Sequence, residues 1–229
     1  VLKHAGESIK GKIVAVSGFG NVAWGACKKL AQLGAKPVTI SGPDGYIYDK
    51  DGIVTDEKIN YLLEMRASGR DKAKDYADKF GVPFYPGEKP WGVKVDIAMP
   101  CATQNEVNLE EAKRIIANGT KYYIEVANMP TTEDALNLFI DTEGITVAPS
   151  KAVNAGGVCV SGLEMSQNSQ RLSWTAEEVD EKLHHAMINI YNNSVAAAEK
   201  YGLGYNLVAG ANIAGFEKVA QAMMEQGIY

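Results

Sequence analysis

Residues 16–23 read VSGFGNVA, and this octet decides the fold. Its small-residue spacing is Gly18-x-Gly20-x-x-Ala23, directly after the apolar run Ile13-Val14-Ala15-Val16. A strand that turns sharply into a helix leaves the first helical N–H groups unpaired, and the aligned peptide dipoles make that end electropositive. Phosphate binds there without a lysine. Gly18 permits the tight turn, Gly20 lets the backbone approach a pyrophosphate, and Ala23 is the third small residue, at the helix–strand contact. A purely structural turn would use the same glycines. The position after a strand and before an amphipathic helix is what favours a dinucleotide.

Working outward, apolar residues recur at Val22, Ala26, Leu30 and Leu33 with helical spacing, and Gly34 stops the run. KPVTI (36–40) reads as a second buried strand, completing a βαβ unit. GYIYDKDG (45–52) predicts a small hairpin turning at Asp51-Gly52. Helices are expected over 55–68 and 70–80, the second ended by Gly81, and strands over 95–100, 121–127 and 144–150. Asn108 with Glu111 caps one intervening helix, which Asn118-Gly119 ends, and Thr131 with Asp134 opens the next. From about residue 152 the pattern is helical only, with a capping box at Thr175 and Glu178. The fold class is therefore α/β: a Rossmann-like, doubly wound, mainly parallel sheet with helices on both faces and a helical C-terminal segment. No repeat, low-complexity linker or domain boundary stands out, so residues 1–229 read as one dinucleotide-binding domain. VLKHAGESIKGK (1–12) reads as the tail of a helix leading into the first strand, which suits a domain cut from a longer chain.

Hydrophobic content of 46% and charged content of 22% suit a water-soluble globular chain. A net charge of −5 with no dense basic cluster argues against nucleic acid and anionic membranes as partners. Cys27, Cys101 and Cys159 sit in apolar surroundings without metal-ligand spacing, which predicts buried, reduced thiols in the cytoplasm. No metal site is expected. His184-His185 has no third ligand in view and reads as solvated.

A dinucleotide site of this kind needs an acidic residue about 20 positions on, at the end of the second strand, to hold the adenosine ribose. That position reads Ser41-Gly42-Pro43, and the first acid is Asp44, either a ribose ligand or a turn residue. The loop carries no Lys or Arg before Lys50, so a 2′-phosphate would meet Asp44 without a cation. NAD is favoured over NADP.

Further on come PCATQNEV (100–107), EVANMPTT (125–132) and APSKAVNAGGVCVSGLEMSQN (148–168), each polar cluster following a strand. Together with SGFGNVA and a later GANIAGF, in this order, they closely resemble glutamate dehydrogenase of the small hexameric type. The resemblance runs the length of the chain but covers only the C-terminal, coenzyme-binding half of such enzymes. It implies that the catalytic lysine, its acidic partner and the lysines holding the substrate α-carboxylate belong to an N-terminal domain whose motifs do not occur here, so that no catalytic residue is expected in this chain. Carried over by motif, Gly18, Phe19, Gly20, Asn21 and Val22 are implied at the pyrophosphate and ribose. Ala102, Thr103 and Gln104 are implied beside the coenzyme, Asn128 near the nicotinamide ribose and Asn154 at the nicotinamide end. Ser161 is implied as a buried hydroxyl binding the glutamate side-chain carboxylate, with Val158 lining the same pocket.

The implied activity is oxidative deamination of L-glutamate to 2-oxoglutarate and ammonia, with NAD as cofactor and a homo-hexamer for the full-length family. For this segment alone a monomer stays open. The family's NADP-preferring members commonly carry serine where this chain has Phe19, and small polar residues at the places of Pro43 and Asp44. Two alternatives remain at this stage: a stand-alone NAD-binding regulatory module, and a branched-chain or aromatic amino-acid dehydrogenase.

Overall fold

Ile13–Val16 forms strand β1, and Val14, Ala15 and Val16 are fully buried, as a continuous apolar run must be in a parallel strand covered on both faces. The computed structural model describes residues 1–227. Residues 1–12 form a series of turns and no helix, correcting the expected helical tail. After β1 come helix α1 (Asn21–Gln32) and strands β2 (Lys36–Pro37), β3 (Thr39–Gly42) and β4 (Gly45–Tyr48). Helices α2 (Asp56–Ala67) and α3 (Lys74–Phe80) follow, then β5 (Phe84–Pro86), a 3-10 turn over Pro90–Gly92 and β6 (Ile97–Met99). The alternation continues through α4 (Leu109–Ala117), β7 (Tyr122–Ile124), α5 (Glu133–Asp141) and β8 (Thr146–Ala148). The rest is helical: α6 (Ser150–Val153), α7 (Ala155–Gln170), α8 (Ala176–Lys200) and α9 (Leu207–Gln226).

Five strands make one sheet in the order β2-β1-β6-β7-β8. β1 pairs in parallel with β2, and with β6 in the register Val14↔Ile97 and Ala15↔Ala98. The order doubles back at β1, so loops leaving β1 and β6 diverge and open a crevice at the carboxyl edge. KPVTI does not stay in one sheet. After Pro37 the chain leaves it, and β3 enters a separate antiparallel sheet, β3-β4-β5. The hairpin turn is Pro43-Asp44, between the paired Gly42 and Gly45, and not Asp51-Gly52. Proline's fixed φ suits the first corner of such a turn, whereas Asp51-Gly52 folds back on Asp49 ahead of α2.

The chain divides into two compact units, Val1–Thr146 and a second that starts at Val147. The first has a core of Val14, Val16, Ile40, Ile47, Leu62, Tyr76 and Ile97, all nearly or fully buried. Asn108 caps α4 through Glu111 N–H at 3.1 Å, as its sequence predicts. The cap of α5 is Thr132, one residue later than expected, because the Thr131 hydroxyl is engaged between Tyr123 and Glu125. In the second unit the Thr175–Glu178 capping box opens α8. There α9 packs so closely on α8 that a Cβ on Gly210 would lie 1.9 Å from the Ser194 carbonyl oxygen. Helix α7 buries no residue. Cys27 and Cys101 are buried free thiols, while Cys159, on α7, is only half-buried.

Candidate functional site

Ser17, fully buried, follows β1, and Gly18 takes φ +77°. A side chain there would be strained, and its Cβ would lie 3.2 Å from Ala102 Cα, Ala102 Cβ and the Cys101 carbonyl oxygen. Two neighbours fix the turn. Gly18 N–H donates to Ser41 Oγ at 2.9 Å. Two residues back, Val16 N–H donates to Thr39 Oγ1, whose hydroxyl donates to the Val16 carbonyl, both at 2.9 Å. Gly20 is the N-cap of α1, with no side-chain cap and no acid in the first turn. The electropositive helix end is thus left to solvent or to an anion.

This turn opens on a cleft of about 970 Å³. Gly18, Phe19, Gly20, Asn21 and Val22 line it, and so do Ala102 and Thr103 from the loop after β6. The structure therefore brings together seven of the residues singled out from sequence. Gln104 and Asn128 are exposed on the loops after β6 and β7 and do not line the cleft. Asp44 does not line it either: its two carboxylate oxygens accept the N–H groups of Ala73, at 2.8 Å, and Lys74, at 3.0 Å, and so cap the start of α3. In the second unit Asn154 lies half-buried between α6 and α7. Val158 is 74% exposed on α7. Ser161 is exposed, not buried, and donates to the Gly157 carbonyl one turn back at 3.2 Å.

Sequence reasoning missed the charged groups of the cleft. Arg66, from α2, and Lys89 both line it, along with Asp71 and Glu88. The Arg66 guanidinium lies over the glycine turn, so that a Cβ on Gly20 would fall 2.9 Å from Nη1. The absence of a cation between residues 41 and 49 therefore does not leave the cleft without one.

Glu106 was missed as well, and it lies 91% buried on the cleft wall. Its Oε1 accepts the Ser17 hydroxyl at 2.9 Å and the Ala102 N–H at 3.0 Å, and Ser17 Oγ in turn accepts the Cys101 N–H at 2.9 Å. Burial pushes the Glu106 carboxyl above its ordinary value, opposed by these donors, by the Thr103 N–H and by the Lys89 charge. Only its place in the polar cluster after β6 hinted at it. Among the described residues no cluster of His, Cys, Asp or Glu is placed to hold a metal, and no helix is long and apolar enough to cross a membrane.

A parallel sheet that doubles back beside a glycine turn, with a charged cleft at its carboxyl edge, defines an α/β protein of the kind that binds ligands at such an edge. The family model described as Glutamate/Leucine/Phenylalanine/Valine dehydrogenase matches residues 1–227, and the chain belongs to that family. It is 72% identical, over 228 residues, to the NAD-specific glutamate dehydrogenase of Clostridium symbiosum, covering all of this chain and 51% of that protein. It is 50% identical to the NADP-specific glutamate dehydrogenase of Haemophilus influenzae, covering all of this chain and 51% of that protein. A solved glutamate dehydrogenase superposes with a TM-score of 0.98 at 72% identity, over 99% of this chain and 51% of the other. The chain spans about half the length of the curated relatives it matches.

Proposed function

We propose that this chain is the coenzyme-holding part of an NAD-linked glutamate dehydrogenase. The observation that carries the reading is the uncapped start of α1, opened onto the cleft by Gly18 and Gly20 and faced by the loop after β6. The residues fit such a group: the start of α1 offers backbone donors to an anion with no acid in its own first turn, and glycine at position 18 lets the turn pass close against Cys101 and Ala102. In this reading the backbone from Gly18 to Val22 holds the pyrophosphate, while Ala102, Thr103 and Gln104 flank the coenzyme. Asn128 serves the nicotinamide ribose and Asn154 the nicotinamide end. Arg66 adds positive charge above the turn, and Asp71 adds a negative charge that disfavours a 2′-phosphate. When bound, the nicotinamide coenzyme supplies the hydride chemistry of amino-acid oxidation. This chain's residues bind it and orient it.

Val158 and Ser161 stand for the substrate side. The exposed Ser161 hydroxyl is available to a glutamate side-chain carboxylate once it exchanges its bond to Gly157, a choice an apolar substrate would not need. A hexamer of the whole enzyme and a cytoplasmic setting, consistent with the free thiols, complete the proposal. Calorimetric titration of the 229-residue chain tests it. NAD should bind with Kd of about 0.1–1 mM, roughly −4 to −5.5 kcal/mol, and NADP several-fold more weakly. Absence of NAD binding refutes the coenzyme role, and tighter NADP binding refutes the specificity. The chain by itself should not oxidise glutamate.

A further inference from the structure

We propose that Glu106 is a positioning residue for the coenzyme: its buried carboxylate ties together the loops after β1 and β6 that form the two walls of the cleft. The inference rests on the reading of that cleft as the coenzyme site. Through Oε1 the carboxylate reaches Ser17, the residue before the glycine turn, and Ala102, whose Cα and Cβ lie against the open side of Gly18. The Ser17 hydroxyl completes the bridge by accepting the Cys101 N–H.

The backbone around Glu106 extends the tie to a third loop. Asn105 N–H donates to the Met129 carbonyl at 3.0 Å and Val107 N–H to the Pro130 carbonyl at 2.9 Å, which fixes the loop carrying Asn128. Asn105 and Met129 are both held in the left-handed region, at φ +52° and +44°. Such conformations persist in non-glycine residues only where surrounding contacts over-determine them. The Glu106 carbonyl also accepts Lys89 Nζ at 2.5 Å, so the cation on the cleft wall is anchored by the same residue.

The donors converging on the side chain suit an ionised carboxylate and not a carboxylic acid. The charged and titratable neighbours facing it are Lys89, the Cys101 thiol and the Tyr123 phenol; burial pushes the last two well above their ordinary values, so both stay neutral. Glu106 is thus the group whose proton uptake, above the usual carboxylate range, would release the Ala102 and Thr103 amides and loosen the walls.

The test is NAD titration of the wild-type chain, Ser17→Ala, Glu106→Gln and the double variant, with far-UV circular dichroism establishing that each is folded. Glutamine keeps one acceptor oxygen but turns an N–H group toward donors. Each single variant should raise the NAD Kd at least tenfold, and the double variant should be little worse than the weaker single, because each disturbs the same bridge, Ser17→Ala by removing its hydroxyl and Glu106→Gln by setting an amide N–H against the donors around the carboxylate. Wild-type affinity should fall as pH is lowered through the mildly acidic range, and Glu106→Gln should be flat there, a difference that general loosening of the fold would not produce. Wild-type affinity and pH profile in the folded variants overturn the inference while leaving the coenzyme reading intact. Absence of NAD binding by the wild-type chain overturns both. If Glu106→Gln does not fold, Ser17→Ala decides by affinity: a tenfold rise in the NAD Kd supports the bridge and wild-type affinity overturns it.

Discussion

Replacing Gly18 by alanine tests the site at its narrowest point. At φ +77° a non-glycine residue costs about 1–2 kcal/mol, because Cβ crowds its own carbonyl. The added methyl would also stand 3.2 Å from three atoms of Cys101 and Ala102, and those atoms cannot easily retreat because Ser17 and Glu106 hold that loop. Crowding of this kind adds about 1 kcal/mol or more. The sum, about 2–3 kcal/mol, corresponds to a melting-point fall of roughly 4–12 °C for a unit of this size. Gly25→Ala is the control: Gly25 lies inside α1 with nothing within 4 Å of its added Cβ. It should stabilise the chain by up to about 1 kcal/mol through helix propensity alone. Thermal denaturation followed by circular dichroism reads both, and calorimetry should show the NAD Kd rising at least tenfold for Gly18→Ala only. A Gly18→Ala chain that melts within 2 °C of wild type and binds NAD normally would refute the account of the turn.

Asp44→Ala should cost about 1–2 kcal/mol by removing the cap on Ala73 and Lys74, as measured by urea denaturation, yet change the NAD Kd less than about threefold. A larger loss of affinity would return Asp44 to the adenosine ribose. Gly210→Ala places a methyl 1.9 Å from the Ser194 carbonyl oxygen, a main-chain atom, and should destabilise the second unit by more than about 2 kcal/mol in a thermal melt. Unchanged stability would mean that α9 is not seated on α8 as described.

What was legible in the sequence was local. The run Ile13–Val16, the spacing of Gly18 and Gly20 and the helix behind them are neighbours in the chain, as are the caps at Asn108 and Thr175. Contacts between distant residues were not. Asp44 read as a ribose candidate because the residues it caps come 29 and 30 positions later. Glu106 meets Ser17 across 89 positions, and Arg66 reaches the glycine turn from α2, a helix far along the chain whose own sequence gives no sign of the contact. In KPVTI the polar residues are Lys36 and Thr39, and their spacing does not say that the chain leaves one sheet after Pro37 and enters the other at Thr39. Ser161 was placed in a buried pocket by motif, and motif carries no information on what covers a helix.

At that passage a single hydroxyl replaces a stretch of main chain. Thr39 both gives a proton to Val16 and takes one from it, so the strand next to the glycine turn keeps a full complement of partners although its neighbour has already departed. An isosteric valine would match the shape and leave two amide groups orphaned in a dry interior. The demand at position 39 is therefore for a lone pair and a proton, not for volume, and it is met without lengthening the polypeptide.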